Sequence, residues 1–417
     1  METKESNAGS KAFSAIKVKM LNNDIEVRDI INTLLIAIAF LFYTLTFFVP
    51  KFYGLTEDYV GVFIFLILAV MTIVNINPFK KIKEKDIDFI ALCVLAVLTG
   101  VNIIVVKSGF GCFFITVNFA MIWYLSGVVR FRKWQVYLVS GMYVVMLLYW
   151  FMFVYTWMFA DYTSFAMNTN TAATFTVFSM LCAFIFFDCL YQKHRLLAGL
   201  FMTIALVKCF QIGMYHRSRG AFIMLIMFFL FKFIVPEKWW EKKVFFTIMC
   251  LIATFGSLLF VSFYIWLGTT GVNFQMPFFY KNIFSGREAI WLEFWELFKA
   301  KPLTGIGTNV TITSFFEFNV HNAMYNILVI HGIFVFGLTL FIMYRRLYAN
   351  HKNISAYPVA LAAMVAVFAV CVESFFDVDL IWANYSVNVL FLLLTLNNRD
   401  SFSDKNQSSL EESDGEE

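Results

Sequence analysis

Long apolar runs recur along this chain, and they restrict its fold more than any other feature. Twelve such runs, each close to 20 residues long, alternate with short polar segments. A helix rises about 1.5 Å per residue, so roughly 20 helical residues cross the hydrocarbon layer of a bilayer. Charged residues make up only 14% of the chain, against about 25% in a typical soluble protein. The sequence therefore predicts an all-α polytopic membrane protein with about twelve transmembrane helices.

The predicted spans are expected to form one helical bundle over residues 30–396. They comprise residues 30–49, 58–76, 87–106, 110–129, 134–156, 171–190, 196–214, 220–235, 244–267, 322–344, 357–374 and 378–396. A polar, flexible tail (1–29) is expected before the bundle and an acidic, disordered tail (397–417) after it. The seven cysteines all fall within apolar spans. They are predicted to be small packing residues, not disulfides or metal ligands.

The distribution of lysine and arginine predicts the orientation of the bundle. The loops that follow even-numbered spans are rich in basic residues, whereas most loops on the other side hold one or none. Since basic loops tend to stay in the cytoplasm, both termini are predicted to be cytoplasmic. Two segments on the predicted outer side depart from this pattern: a short turn with Arg217 and Arg219, and a long loop (268–321) with Arg287. A long loop tolerates any charge, but a short turn does so less readily, so a functional role is favoured for the turn.

The long outer loop contains features that suit an anionic ligand. Ser285 and Glu288 have the spacing of a capping box, which predicts a helix over 289–300 with Arg287 in its first turn. The free N–H groups of a helix N-terminus and a guanidinium together suit an anion such as a diphosphate. The predicted helix is amphipathic with a tryptophan-rich apolar stripe, so it is expected to lie on the outer surface or to cap the bundle. The plain structural alternative is a lid packed on the spans.

Three titratable side chains are further candidates. His321 precedes the tenth span, and an imidazole with a pKa of about 6.5 can accept a hydroxyl proton at neutral pH. His216, in the basic turn, is the rival base, and a purely structural role suits either histidine. Lys208 lies within the seventh span on one helical face with Gln211 and Tyr215. It either lines a polar cavity or snorkels to the interface.

Acidic residues gather at the predicted outer ends of the last two spans. They are Glu373, Asp377 and Asp379. They are positioned either to balance the arginines or to orient an acceptor sugar. No metal-ligand spacing, phosphate-binding glycine loop or nucleophile motif is present in the sequence, so no metal site is predicted.

A series of short motifs follows the seventh span. They are Arg217-Ser218-Arg219-Gly220, Gly286-Arg287 with Trp291, Lys301-Pro302-Leu303 with Gly305-x-Gly307, and His321-Asn322 followed by Gly332. In this order they resemble the O-antigen ligase and O-antigen polymerase superfamily of bacterial surface-polysaccharide enzymes. The resemblance covers roughly residues 200–345, about a third of the chain. It implies transfer of an oligosaccharide from undecaprenyl diphosphate to an acceptor sugar hydroxyl, at the outer face of the bacterial inner membrane.

The resemblance also implies a role for each matching position. Arg219 and Arg287 would hold the diphosphate and stabilise charge on the leaving group, and His321 would activate the acceptor hydroxyl. The further substrate-binding candidates are Arg217, Lys208, His216 and Asn322. The implied partners are an undecaprenyl-diphosphate-linked oligosaccharide, an acceptor glycan, membrane lipid and other polysaccharide-assembly proteins. No cofactor, metal or nucleic acid is implied.

Several functions remain compatible with these observations. A polymerase is favoured because it needs only the lipid-linked substrate, whereas a ligase also needs a lipid A core as acceptor. A secondary transporter or lipid-linked sugar flippase has a similar number of spans, but it tends to show internal repeats and charges through the bundle. The unusual charges here gather near one face instead. A noncatalytic assembly factor is the remaining alternative.

Overall fold

Helices make up most of the chain in its computed structural model. The model describes residues 17–20, 23–155, 169–191, 193–272, 274–276, 282–314, 319–356 and 358–397. In chain order the main helices are α1 (Val27–Phe48), α2 (Pro50–Asn75), α3 (Ile87–Val106), α4 (Phe110–Ser126), α5 (Lys133–Tyr149), α6 (Thr169–Tyr191), α7 (Arg195–Tyr215), α8 (Arg219–Phe229), α9 (Lys243–Thr269), α10 (Arg287–Lys299), α11 (Ala323–His351), α12 (Pro358–Glu373) and α13 (Ser386–Leu396). Short helices occur at Pro78–Lys83, Glu237–Trp240, Asn353–Ala356 and Ala383–Tyr385.

The lengths of these helices agree with a multi-pass membrane protein. Within the described part of the chain, seven helices are long and apolar enough to cross a bilayer, and four shorter apolar helices accompany them. Helices α5 and α8 continue as π-helical turns at Trp150–Val154 and Leu230–Ile234, and α9 contains a third such turn at Ile252–Gly256. The predicted count of twelve spans stays a prediction.

The end of the N-terminal segment forms a small hairpin. Strands β1 (Lys17–Met20) and β2 (Asn23–Glu26) form an antiparallel pair, and α1 begins directly after β2. Helix α1 starts there because Glu26 and Asp29 form a reciprocal cap, and the buried Asp29 carboxylate also contacts Arg132 Nε at 3.1 Å. This hairpin and an isolated β-bridge between Gln275 and Asn282 are the departures from an all-α architecture in the described residues. The flexible and disordered tails stay predictions, since residues 1–16, 21, 22 and 398–417 lie outside the described residues.

Helices α6, α12 and α13 form the centre of the bundle, and almost every described side chain on them is buried. A small polar network ties α13 to its neighbours. Asn388 accepts a hydrogen bond from the Tyr143 hydroxyl at 2.8 Å and donates to the Tyr43 hydroxyl at 3.1 Å, which in turn pairs with Ser179. Each of these buried groups has a partner, so the network fixes how α1, α5, α6 and α13 fit together without leaving a polar group unpaired.

The amphipathic helix α10 closes one end of the bundle, which we call the loop end. Its apolar face buries Ile290, Trp291, Phe294 and Phe298 against α9 and α11. The Trp291 indole donates to the Val320 carbonyl at 2.6 Å, and the Tyr325 hydroxyl donates to the Trp291 carbonyl at 3.0 Å. The structural alternative, a lid packed on the spans, is therefore what the contacts of α10 support.

Helix α11 is broken at Gly332, and the segment after α10 fills the break. Gly332 has a φ of +82°, which leaves neighbouring backbone groups without helical partners. The inserted segment supplies them: Ile306 N–H donates to Val329 O at 2.8 Å, and Ile333 N–H donates to Pro302 O at 3.0 Å. A Cβ at Gly305 or Gly332 would overlap the backbone that faces it. The glycines of this motif thus let two backbones meet at the break.

Candidate functional site

Segments that are distant in sequence converge at the loop end around a narrow polar pocket. The pocket is lined by Asn170, Thr174, Ser218, Arg219, Gly220, Arg287, Glu373, Phe376 and Asp377. These residues come from the starts of α6, α8 and α10, the end of α12, and the segment that joins α12 to α13. The pocket therefore collects both predicted catalytic arginines and two of the three acids.

Arg219 is the first residue of α8, and it reaches across to the segment before α10. Its Nη1 donates to the carbonyls of Asn282 (3.2 Å) and Ile283 (2.7 Å), and its Nη2 donates to Ser285 Oγ at 2.7 Å. These hydrogen bonds tie the short basic turn to the long loop. Arg219 therefore positions the loop that carries Arg287, in addition to the role predicted for it.

The capping box predicted for the loop helix is wrong. The residue before the helix is Gly286, with a φ of +81°, and no side chain caps the helix there. The Ser285 hydroxyl instead accepts from Arg219 and donates to Asn282 O at 3.0 Å. The predicted place of Arg287 in the first turn is nevertheless confirmed, because the helix begins at that residue. Its guanidinium thus lies beside the free N–H groups and partial positive charge of the helix N-terminus.

Asp377 links Arg287 to His321. Its Oδ2 lies 3.8 Å from Arg287 Nη2, and its Oδ1 lies 3.5 Å from His321 Nδ1. The side chains of Arg287 and Asp377 are 14% and 29% exposed. Burial on its own would raise the pKa of the Asp377 carboxyl, but the contacts with His321 and Arg287 and the Val378 N–H lower that pKa from its usual value. A carboxylate thus stands between the two predicted catalytic residues, within ion-pair distance of both.

His321 occupies a strained backbone position that is fixed by its neighbours. Its φ is +50°, in the left-handed region that residues other than glycine seldom adopt. Its N–H donates to Asn319 Oδ1 at 2.9 Å. The next residue, Asn322, is fully buried and caps α11 by accepting from Tyr325 N–H at 2.9 Å. Strain of this kind persists only where the surroundings determine the conformation, and it is common at functional sites.

The structure uses the Asn322 amide within the fold, and its substrate-binding role stays a prediction. Its Oδ1 also accepts from Ser257 Oγ at 2.9 Å, and its Nδ2 donates to Phe375 O at 3.0 Å. Both ends of the amide are therefore used within the fold, out of contact with solvent. Asn322 joins α9, α11 and the segment after α12, and so it positions His321 instead of lining the polar pocket.

Lys208 and His216 belong to a different cluster, centred on Tyr155. The Tyr155 hydroxyl and His216 Nε2 are 2.7 Å apart, and Lys208 Nζ donates to Tyr155 O at 3.4 Å. His216 is only 6% exposed. Neither residue lines the polar pocket, and neither does the exposed Arg217. The structure thus does not bring these three predicted binding residues together with Arg219, Arg287 and His321.

An apolar cleft adjoins the polar pocket on the other side of Arg219. It encloses about 360 Å³ and is lined by Arg219, Phe222, Ile223, Phe260, Phe263, Tyr264, Leu267, Met276, Ile283 and Phe376. The Tyr264 hydroxyl donates to the Ile283 carbonyl, next to the Arg219 guanidinium. Arg219 and Phe376 line both spaces. A polar space and an apolar space therefore adjoin at Arg219 and Phe376.

Sequence reasoning missed the bridging role of Asp377. The sequence places Asp377 only in a loose acidic group, and its distance of 56 residues from His321 gives no sign of a contact. The one available signal is that both residues fall at predicted span ends on the same side of the membrane. Among the residues that the structure describes, no group of three or more His, Cys, Asp or Glu side chains is arranged to hold a metal ion.

The comparisons with known proteins give one match. Residues 204–340 match the family model described as O-antigen ligase. The match covers about a third of the chain and contains Arg219, Arg287 and His321. Searches of curated proteins and of solved structures each found no significant match.

Proposed function

The matched domain places this chain in the O-antigen polymerase and ligase superfamily, and from that premise we propose that it is a polysaccharide polymerase. In this proposal it transfers undecaprenyl-diphosphate-linked oligosaccharide units onto an acceptor sugar hydroxyl. The observation that carries the proposal is the position of Arg219, which borders both a polar pocket and an apolar cleft. A lipid diphosphate has the same two parts, a doubly charged head and an apolar tail.

The two arginines and the start of α10 bind the diphosphate in this proposal. Arg219 and Arg287 both line one pocket, and each guanidinium presents a planar set of donors that matches phosphate oxygens. The N-terminus of α10 adds backbone N–H groups and a partial positive charge. Because charge on the diphosphate grows as the glycosidic bond breaks, these donors stabilise the transition state more than the bound substrate.

His321 is the general base in this proposal. Its Nδ1 lies against the Asp377 carboxylate, and the tautomer with a proton on Nδ1 has its basic lone pair on Nε2. Nε2 accepts the proton of the acceptor hydroxyl as that oxygen bonds to the anomeric carbon of the donor sugar. The bond from that carbon to the diphosphate oxygen breaks, and its electron pair leaves with undecaprenyl diphosphate. Asp377 stabilises the imidazolium formed in this step.

The location follows from the same proposal. The loop end is assigned to the outer face of the bacterial inner membrane, where the lipid-linked unit and its acceptor meet. Both termini then lie in the cytoplasm, as the basic loops predict. An O-antigen ligase is the second candidate, and the description of the matching family favours it. Its acceptor would be a lipid A core instead of another lipid-linked unit.

The test uses purified protein and the lipid-linked oligosaccharide that accumulates in host cells lacking this chain. A polymerase produces a ladder of longer glycans and releases undecaprenyl diphosphate with no other substrate present. Transfer that requires added lipid A core identifies the ligase. Consumption of no substrate under either condition, together with movement of the lipid across liposome membranes, contradicts both and identifies a transporter.

A further inference from the structure

Two buried carboxyl groups lie close together, and one of them lines the polar pocket. Glu373, the last residue of α12, lines the pocket and is 1% exposed, and Asp379 is 6% exposed. Ser374 joins the two positions, because its hydroxyl donates to Glu373 Oε2 at 3.4 Å and accepts from the N–H of Leu380, the residue after Asp379, at 3.2 Å. The α8 backbone approaches so closely that a Cβ at Gly220 would lie 2.8 Å from Glu373 Oε1. Little room for water is left around this pair.

Among the described residues, no cation forms an ion pair with either carboxyl. No Lys, Arg or His nitrogen in that part of the chain lies within 4.0 Å of them, and the ion pair of Arg287 is with Asp377 at 3.8 Å. The charged and titratable groups around the pair come from five segments and comprise Arg219, Arg287, Asp377, His321 and Tyr43 of α1, which interacts electrostatically with Asp379. Helix α6 contributes only the uncharged Asn170 and Thr174.

We propose that Glu373 and Asp379 share a single proton and that this proton keeps the pocket able to accept an anionic substrate. Two buried carboxylates at close range repel each other, and removal from water disfavours each charge, so one of them stays protonated. With one proton on the pair, the two positive charges of Arg219 and Arg287 equal the two negative charges of Asp377 and the pair. Without that proton the pocket carries a net negative charge and opposes a diphosphate.

The environment of Asp379 agrees with this assignment. Burial, followed by the charge of Asp377, raises the pKa of the Asp379 carboxyl well above its usual value. In this proposal Glu373, the more deeply buried partner, carries the shared proton and donates it to Asp379. We therefore treat Glu373 as a positioning residue, which acts on the substrate through the charge of the pocket.

The effect of the shared proton on donor binding rests on the proposed function. The shared proton predicts how binding of the lipid-linked donor depends on pH. As the pH rises into the alkaline range, the pair loses its proton, and a negative charge is added at the pocket that both arginines line. The KM for the lipid-linked donor then rises, by at most tenfold per pH unit for one proton. The intact donor is a diphosphate diester, so its own charge stays constant over this range and cannot cause the change.

The test compares wild type with E373Q, whose amide can donate to Asp379 as the acid does but cannot lose a proton at alkaline pH. Wild type is expected to show at least a threefold alkaline rise in donor KM, and E373Q none. D379N removes the neighbouring charge, so Glu373 ionises more easily and the rise shifts to lower pH. E296Q, an exposed carboxylate on α10, is expected to keep the wild-type rise. An unchanged rise in E373Q overturns the proposal.

A second readout does not depend on catalysis. The infrared carbonyl band of a protonated carboxylic acid is expected in wild type at neutral pH and is expected to be lost in E373Q. Persistence of the full band in E373Q contradicts the shared proton, whatever the activity. If wild type shows the band but consumes no lipid-linked donor at any pH, the proposed function fails while the shared proton stands.

Discussion

Two clusters near the loop end have similar composition but different construction. Each contains a histidine and at least one basic side chain: His321 with Arg219 and Arg287 in one, and His216 with Lys208 in the other. In the first cluster, His321 faces a carboxylate that also contacts an arginine, beside a pocket lined by several segments. In the second, the buried histidine pairs with a tyrosine and the lysine donates to a backbone carbonyl.

The difference shows that the presence of a histidine and a cation does not define a site. The pocket next to the His321 cluster has polar walls and adjoins an apolar cleft, and these are the two parts that the proposed amphiphilic substrate requires. The polar groups of the Tyr155 cluster are used to join α7 to the end of α5. We therefore assign chemistry to the first cluster and structural stability to the second, and the following predictions test that division.

The largest expected effect separates the two histidines. H321Q removes the base and is expected to lower kcat by about 10²- to 10⁴-fold, the usual contribution of general base catalysis. H216Q keeps a hydrogen-bonding side chain next to Tyr155 and is expected to stay within about threefold of wild type, since it does not touch substrate. Release of undecaprenyl diphosphate by each purified variant measures both values. Equal losses in the two variants would end the distinction.

The arginines provide a second comparison. R287A removes a donor to the leaving diphosphate and is expected to lower kcat/KM by about 10²- to 10³-fold. R217A, a change in the basic turn next to Arg219 but outside the polar pocket, is expected to lower kcat/KM by less than about threefold. Initial rates at low donor concentration give kcat/KM directly. A large loss in R217A would place Arg217 in the site and enlarge the pocket assigned here.

The segment after α10 meets the backbone of α11 at the Gly332 break, and this contact is expected to be sensitive to a single methyl group. G305A places a Cβ against the Ile330 carbonyl at a φ of +73° and is expected to destabilise the protein by about 3 kcal/mol or more. G337A changes a glycine within α11 whose Cβ would have nothing within 4 Å, and it is expected to change stability by less than about 1 kcal/mol. Thermal unfolding in detergent compares the two. Equal melting temperatures would mean that the segment after α10 does not pack closely against the α11 backbone.

Asn322 tests whether a residue next to the base acts on substrate or on structure. N322A removes the cap of α11 and is expected to cost about 1–2 kcal/mol of stability. Its donor KM is expected to change by less than about threefold, because the amide has no access to the pocket. Unfolding temperature and donor KM are measured on the same preparation. A large rise in KM without loss of stability would restore the predicted substrate contact.

The smallest effect concerns the carboxylate that holds the loop to α10. Burial slightly opposes ionisation of Glu293, but its Oε2 accepts from the Ser314 hydroxyl at 2.6 Å, and three further hydrogen bonds from Thr313 and Ser314 help lower its pKa to about 2. The pKa of an unfolded glutamate is about 4.3. This stabilisation is therefore complete above that value and is lost as the pH falls towards the folded pKa.

The matched comparison is with Glu296, on the exposed side of α10. E293Q is expected to destabilise the protein by about 1 kcal/mol after solvent screening, and E296Q by much less. The E293Q deficit is expected at neutral pH and is expected to shrink in acid. A deficit that persists unchanged below the folded pKa would contradict the carboxylate contacts.

The sequence predicts the bundle because each apolar run forms its own helix, with backbone hydrogen bonds made inside the run. It also predicts that the loop helix is amphipathic and that Arg287 lies in its first turn, since both depend on nearby residues. The predicted cap at Ser285 failed because Arg219, 66 residues away, takes up that hydroxyl. Local spacing cannot reveal a competing partner that only the folded chain supplies.

The candidate site was predictable only in part, because the sequence does not show which distant residues meet in the folded chain. The topology places Arg219, Arg287 and His321 on one side of the membrane, but it also places Lys208, His216 and Arg217 there. Only the folded contacts separate the two sets, because helix rotation decides whether a side chain faces a pocket, a neighbour or lipid. Asp377 was missed as the bridge for the same reason, and Asn322 was assigned to substrate because its use as a helix cap depends on Ser257 and Phe375.

The most direct test of the account measures binding of the lipid-linked donor to two double variants that lose the same charge. R219Q/R287Q removes two positive charges from the polar pocket, and K208Q/R217Q removes two from outside it. Native mass spectrometry in detergent micelles reports the bound fraction, with unfolding temperatures checked for both. The account predicts loss of donor binding in R219Q/R287Q and retention in K208Q/R217Q. Equal loss in both, or loss only in K208Q/R217Q, would contradict it.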